Sequence, residues 1–267
     1  DERRGPPSLT FESNLLTHLA VAGFPTPPPL RAADGSTFQP FEKKFVLIFP
    51  MMTGRARIPA EWTATHVHQA AQAMAMLHTA GATFPGQLTN QFGILATSTR
   101  WETSVRAALN DAGLARRIDL ALAQSTALLE GFTLEPTTIH GDFFADNLLF
   151  DEQDRLVAVL DFEAACVDDI YFDLATALNA LAWPDVDSTP AVHAAQGFLA
   201  SYQASRPVVR LSSHKLDAYL QLTALRFTVS RIADFTIPQT GGGGAPPRSH
   251  SDFWKKYLFW ERHTSAQ

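Results

Sequence analysis

The sequence predicts an α+β protein in two parts, a small strand-containing beginning over 1–52 and a larger, mostly helical remainder over 53–267. Three observations carry this. An apolar run of strand length, FVLIFP (45–50), follows an extended proline stretch near the front. From Pro59 onward, most of the chain places apolar residues at a spacing near 3.6. Within that remainder stand three short apolar runs, TTIH, NLLF and LVAVLDF, the last two joined by the turn-like DEQD.

Taken in order, LTFESNLLTHLAVAG (9–23) has helical spacing and a closing glycine. FPTPPPL (24–30) is extended, because proline forbids helix there. A turn at AADGS (32–36) precedes the strand 45–50, and MMTG connects onward, so the two parts join near Phe49–Gly54. Helices are expected over 59–81 and over 99–131, the second broken at Gly113. After the three short strands, helical patterns resume at 169–183, 190–204, 213–235 and 251–262. GGGGAPP (241–247) reads as a loop.

The 267 residues hold 46% hydrophobic and 18% charged side chains, the balance of a globular chain with ample core. A formal net charge of −6 gives no nonspecific attraction to nucleic acid or to an anionic membrane surface. No apolar run approaches the roughly 18 residues of a membrane span, and DERRGPPSLTFE is not a signal peptide. The single cysteine, Cys166, allows no internal disulfide, which agrees with a cytoplasmic setting; it reads as a small buried apolar residue.

The chemistry is concentrated in IHGDFFADNLLFDEQDRLVAVLDFE (139–163). Asp142 and Asn147 lie on the loop between two strands, and Asp161 follows the second strand of the NLLF/LVAVLD hairpin. Pairing of that hairpin would bring the oxygens of Asn147 and Asp161 to one place. Carboxylate and amide oxygens suit a hard ion such as Mg2+, which keeps waters and recruits substrate phosphates. With no cysteine in the cluster and one histidine, zinc is a poor fit. Asp142, on the same loop but not needed to hold the ion, is placed to accept a hydroxyl proton, a division of labour found in phosphoryl transfer. Taken singly, each of these residues would read as a turn former or strand cap.

H-G-D-x-x-x-x-N, then about fourteen residues, then D-F-E, followed by DLATAL (173–178), resembles the catalytic and metal loops of the aminoglycoside phosphotransferase and choline kinase superfamily, relatives of protein kinases. IHGDFFADNLLF, VLDFEAACVDDIYFDLATALNALAW and LRFTVSRIADF together, with LHTAGATFPGQLTNQFG (77–93), are similar to the kinase-like homoserine kinases over nearly the whole chain from about residue 10. The family usually has Ala where Gly141 stands. The resemblance implies a bilobal protein-kinase-like fold, ATP and Mg2+ as cofactors, Asp142 as catalytic base, Asn147 and Asp161 as magnesium ligands, and His140 and Asp173 as supports of the loop. It places Glu12 in the first helix, where the family's Glu pairs with a lysine on a preceding strand. That lysine and the phosphate-covering loop have no counterpart in the eleven residues before Glu12, so the N-lobe is expected to be truncated in this chain. The backbone of Phe49, Met51 and Met52 would meet adenine, with the methionine side chains in the core.

The implied acceptor is a small hydroxylated molecule, homoserine first. An aminoglycoside, choline-like amine or sugar is the alternative, and a non-catalytic nucleotide-binding protein derived from a kinase is a further class. Arg226 and Arg231, with Asp234 nearby, read either as a solvated helix face with local ion pairs or as a bidentate clamp on the acceptor's carboxylate. Trp183 either lines the acceptor pocket or packs between helices. Glu163 either binds a second ion or faces solvent.

Overall fold

The computed structural model describes residues 5–58, 61–181, 189–236 and 249–264. Trp183 and the glycine run at 241–247 lie outside the described residues. The chain divides into two compact units. One comprises Asp1–Thr89, Glu135–Asp173 and Ala180–Arg210; the other comprises Asn90–Leu134, Leu174–Asn179 and Leu211–Gln267.

In the first unit, α1 (Pro6–Val21) starts on two prolines, whose missing amide donors cost nothing in a first helical turn. It buries Leu9, Leu15, Leu16 and Leu19, as the helical spacing predicts. Gly23 turns the chain with φ +79. The proline stretch then runs extended: Pro25 O accepts from Val159 N at 2.7 Å and Thr26 Oγ1 donates to Val159 O at 2.9 Å. Next come β1 (Gln39–Phe41) and β2 (Lys44–Val46), an antiparallel hairpin. The strand expected over 45–50 is therefore cut to its first residues. Past Val46, Ile48 O accepts from Leu30 N, and Ile48 and Phe49 stay exposed. A continuous apolar run becomes a strand only where neighbours pair its backbone and cover its side chains.

α2 (Ala64–Gly81) begins five residues later than expected from Pro59, because Thr63 caps it, its amide donating to His66 Nδ1 at 3.1 Å. Ala70, Ala71, Ala73, Ala75 and Met74 are buried, and it packs on α6 (Thr189–Ser205). β3 (Pro136–Ile139) pairs antiparallel with β6 (Cys166–Asp169). β4 (Leu148–Phe150) and β5 (Leu156–Val159) form the expected antiparallel hairpin. Strand β6 was not expected from CVDD, which lacks both an apolar run and alternation; its pairing with β3 is a tertiary matter.

In the second unit, α3 (Ile94–Arg100) continues through a wide turn at Trp101–Val105 and a tight one at Arg106–Ala108. α4 (Ala112–Glu130) follows, with Asp111 Oδ1 accepting from Leu114 N at 2.8 Å. The break thus falls at Leu109–Asp111 rather than at Gly113, which lies in the first turn of α4; the capping carboxylate decides it. α5 (Ile170–Ala180) supplies Leu174–Asn179 to this unit. α7 (Ser213–Arg231) packs on α4 and α8 (Ser251–Thr264) around Trp101, Ile118, Leu122, Leu225, Val229 and Tyr257. Asn179 ties three helices: Nδ2 donates to Leu220 O, and Oδ1 accepts from Trp260 Nε1, each at 2.9 Å. Among the described residues no helix is long and apolar enough to cross a membrane.

Candidate active site

β3 delivers the loop His140–Gly141–Asp142 at its C-terminal end, a single tight turn Ala145–Asn147 leads into β4, and Asp161 stands two residues past β5. Hydrogen bonds join these pieces in the first unit. Asn147 Nδ2 donates to Asp142 O at 2.9 Å, which fixes the amide's orientation and directs Oδ1 elsewhere. Leu160 N donates to Asn147 O at 2.9 Å, so the residue before Asp161 is bound to Asn147 directly. His140, fully buried, bridges the same two segments: Nε2 lies 2.9 Å from Leu160 O, and Nδ1 accepts from Asp142 N at 3.2 Å. A ring that gives one proton to a carbonyl and accepts from an amide is the neutral Nε2–H tautomer, assigned from these partners.

Two backbone conformations at the site are uncommon. Asp161 has φ 62 and ψ 66, a left-handed geometry that costs about 1–3 kcal/mol in a non-glycine residue. Phe162 anchors it, buried with its ring 4.5 Å from His140 and 6.1 Å from Phe24, centroid to centroid. Gly141 has φ +79, and a Cβ there would come within 2.5 Å of Ala164 O. The loop approaches the turn after Asp161 closely enough that glycine suits this position.

Beneath the loop lies Asp173, at the start of α5 and fully buried. Its Oδ2 accepts from His140 N at 2.7 Å, its Oδ1 from Gly141 N at 2.7 Å, and His78 Nε2 stands 3.1 Å from Oδ2. Burial pushes the Asp173 carboxyl up. The hydrogen bond from His78, the electrostatic pull of the two neighbouring imidazoles and the His140 amide together outweigh it and hold the group below its usual value. His78 was not anticipated. The only local signal is its position on α2, four and seven residues after buried Met74 and Ala71, which puts a histidine on the apolar face.

The remaining expected residues lie on other elements. Glu12 is buried on α1. Phe49 and Met51 are 39% and 94% exposed and Met52 is half-buried, so the expectation of a core position fails for Met51. Arg226 and Arg231 belong to α7 in the second unit. Arg226 is 5% exposed, with its guanidinium carbon 4.4 Å from the Phe92 ring centre and 3.9 Å from that of Phe227, which overturns a solvated-face reading for it. Arg231 donates to Ser249 O at 2.8 Å and lies 4.3 Å over Phe253. Asp234 pairs with Arg100 at 2.8 Å. Cys166 is buried in β6, as expected.

A mostly helical chain with a few short strands, built around a loop and hairpin that gather Asp142, Asn147 and Asp161, defines a small-molecule phosphotransferase of kinase-like fold. The chain belongs to the phosphotransferase enzyme family, whose profile matches residues 1–211. It is 33% identical over 235 residues to a homoserine kinase of Caulobacter vibrioides, covering 87% of this chain and 73% of that protein. A homoserine kinase of Hyphomonas neptunium is 27% identical, with 100% and 83% covered. Among solved structures, the amicoumacin kinase hAmiN superposes with a TM-score of 0.71 at 12% identity, over 99% of this chain and 79% of that one. A choline/ethanolamine kinase family protein of Mesorhizobium loti gives 0.65 at 16% identity, over 96% and 83%.

Proposed function

We propose that this chain moves the γ-phosphoryl group of ATP to the hydroxyl of a small amino acid, with homoserine as the first candidate. One observation carries the reading: in a phosphotransferase family chain, Asn147 is hydrogen-bonded both to the Asp142 carbonyl and to the segment that presents Asp161. The relatives named homoserine kinase support the choice of acceptor.

In this mechanism the acceptor oxygen attacks the γ-phosphorus, the bond from that phosphorus to the β–γ bridging oxygen breaks, and ADP leaves. Asp142 receives the hydroxyl proton. The donors fit a divalent cation such as Mg2+: Asn147 spends Nδ2 on Asp142 O and keeps an amide oxygen, and Asp161 adds a carboxylate. Such an ion, when bound, neutralises phosphate charge. The strained backbone at Asp161 and the His140 bridge fix both residues before substrate arrives. Glu12 is assigned to the phosphate end of the nucleotide site and the backbone of Phe49, Met51 and Met52 to adenine, with the boundary between lobes near residue 52. A small molecule in the cytoplasm, rather than nucleic acid or membrane, is the partner that follows.

The test is coupled ADP release against homoserine, aminoglycosides, choline and sugars, with Asp142→Ala alongside. Asp142→Ala should keep its fold and bind ATP while turnover falls at least about 100-fold, the lower end for a lost general base. Substantial residual transfer removes Asp142 from the mechanism, and turnover of choline or an aminoglycoside but not of homoserine replaces the acceptor.

A further inference from the structure

Four polar side chains continue inward from a half-buried arginine to the loop that carries Asp142. Arg206, just past α6, donates from Nη1 to Tyr202 Oη at 2.9 Å. Tyr202 Oη lies 2.8 Å from His78 Nδ1, and His78 Nε2 lies 3.1 Å from Asp173 Oδ2. Both Asp173 oxygens then hold loop amides, those of His140 and Gly141. Tyr202, His78 and Asp173 are all fully buried.

Arginine can only donate, so Tyr202 Oη accepts from it and has its own proton left for His78 Nδ1. His78 then carries its proton on Nε2, towards the carboxylate. One donor direction runs through the whole chain, from α6 to the loop. Packing alone does not account for it: a leucine on α2 and a phenylalanine on α6 would fill the space without desolvating three polar groups. What the polar chain adds is orientation. Asp173 has one carboxylate for two amides whose separation is set by the left-handed turn at Gly141, and the His78 proton on Oδ2 selects the rotation that satisfies both.

We propose that His78, held by Tyr202 and Arg206, is a positioning residue for catalysis, acting through Asp173 to fix the loop His140–Asp142. The proposal rests on the assignment of Asp142 as the proton acceptor. His78 does not touch substrate; it keeps the Asp142 backbone where its carboxylate meets the acceptor hydroxyl.

Four variants and two measurements decide it: turnover of ATP with the acceptor found above, and amide hydrogen exchange of the peptide 139–143. Tyr202→Phe keeps the ring and removes only the hydroxyl. It should lower kcat several-fold, leave the KM for ATP within about twofold, and speed exchange of the peptide. His78→Leu should lower kcat about tenfold or more, the order for a lost hydrogen bond to a charged group. His78→Gln, which can still donate to Asp173, should recover part of that loss. Tyr202→Phe is the cleaner arm, because it leaves the α2–α6 packing intact even if His78→Leu unfolds. Tyr202→Phe and His78→Gln both within twofold of the parent kcat would overturn the proposal, as would a fall in kcat with unchanged exchange at 139–143. Asp142→Ala separates the two readings. If it stays active, the assignment of Asp142 fails while exchange at 139–143 still decides whether His78 holds the loop; if it is dead and the His78 and Tyr202 variants are fully active, only the positioning role fails.

Discussion

Replacing Asp173 with asparagine keeps shape and volume and removes one charge from a fully buried site. The carboxylate accepts three hydrogen bonds, from His140 N and Gly141 N at 2.7 Å and from His78 Nε2 at 3.1 Å. Asparagine offers one acceptor oxygen. Placed at the Oδ2 position it keeps His140 and His78 without charge assistance, and its NH2 group then faces the Gly141 N–H, donor against donor. A hydrogen bond to a charged group contributes about 1.5–3 kcal/mol and a neutral one about 1 kcal/mol. One bond lost outright and two weakened comes to about 4 kcal/mol, and relief from burying a charge offsets part of it. Asp173→Asn should therefore lose about 3 kcal/mol in urea unfolding at pH 7, together with much of its turnover. The sign of the pH dependence follows from the lowered folded-state value. The wild-type advantage is complete above the ordinary carboxylate value of 3.8 and fades as pH falls below it towards the folded-state value, so the two proteins converge below about pH 4. A loss under about 1 kcal/mol at pH 7, or parallel stability curves from pH 5 to pH 3, would refute the picture of Asp173 as an ionised hub.

Two other perturbations test separate features. Gly141→Ala should cost about 1–2 kcal/mol from its left-handed φ alone, and the contact of its Cβ with Ala164 O should displace the turn after Asp161 and lower kcat; thermal unfolding and kinetics unchanged from wild type would contradict the geometry. Lys256, on α8, donates to Asn179 O, and burial together with the charge of Arg231 pushes its ammonium down from 10.5 to about 8. Between those two values the unfolded chain binds the extra proton, so wild-type stability should rise with pH by up to about 3 kcal/mol. Lys256→Met should abolish that rise, as read from Tm against pH between 7 and 10.5.

Much of the molecule was legible in the sequence. α1, α5, α6, α7 and α8 fall close to where the sequence pattern puts them; α1 and α8 bury one face, which the period of the helix writes into the chain, whereas α5 and α7 are buried almost all round. The β4–β5 hairpin is signalled by two apolar runs around a turn, and the spacing of Asp142, Asn147 and Asp161 marked the candidate site. Two of the failures are tertiary and the third is a local cap. The run 45–50 lacked neighbours to pair and cover it beyond Val46, β6 is a strand only through its ladder with β3, and the break before α4 is set by the Asp111 cap rather than by the nearby glycine.

Local pattern by itself determined the element types, the acidic and amide residues available for chemistry, and the order in which they occur along the loop and hairpin. Only the tertiary structure decided what holds those residues in place. His78 meets Asp173 from 95 residues away, Tyr202 meets His78 from 124 away, and His140 reaches Leu160 across twenty. Periodicity reports which side of an element is buried. Which polar group waits on the other side of that buried surface depends on how separate elements pack, and no stretch of contiguous residues contains that information.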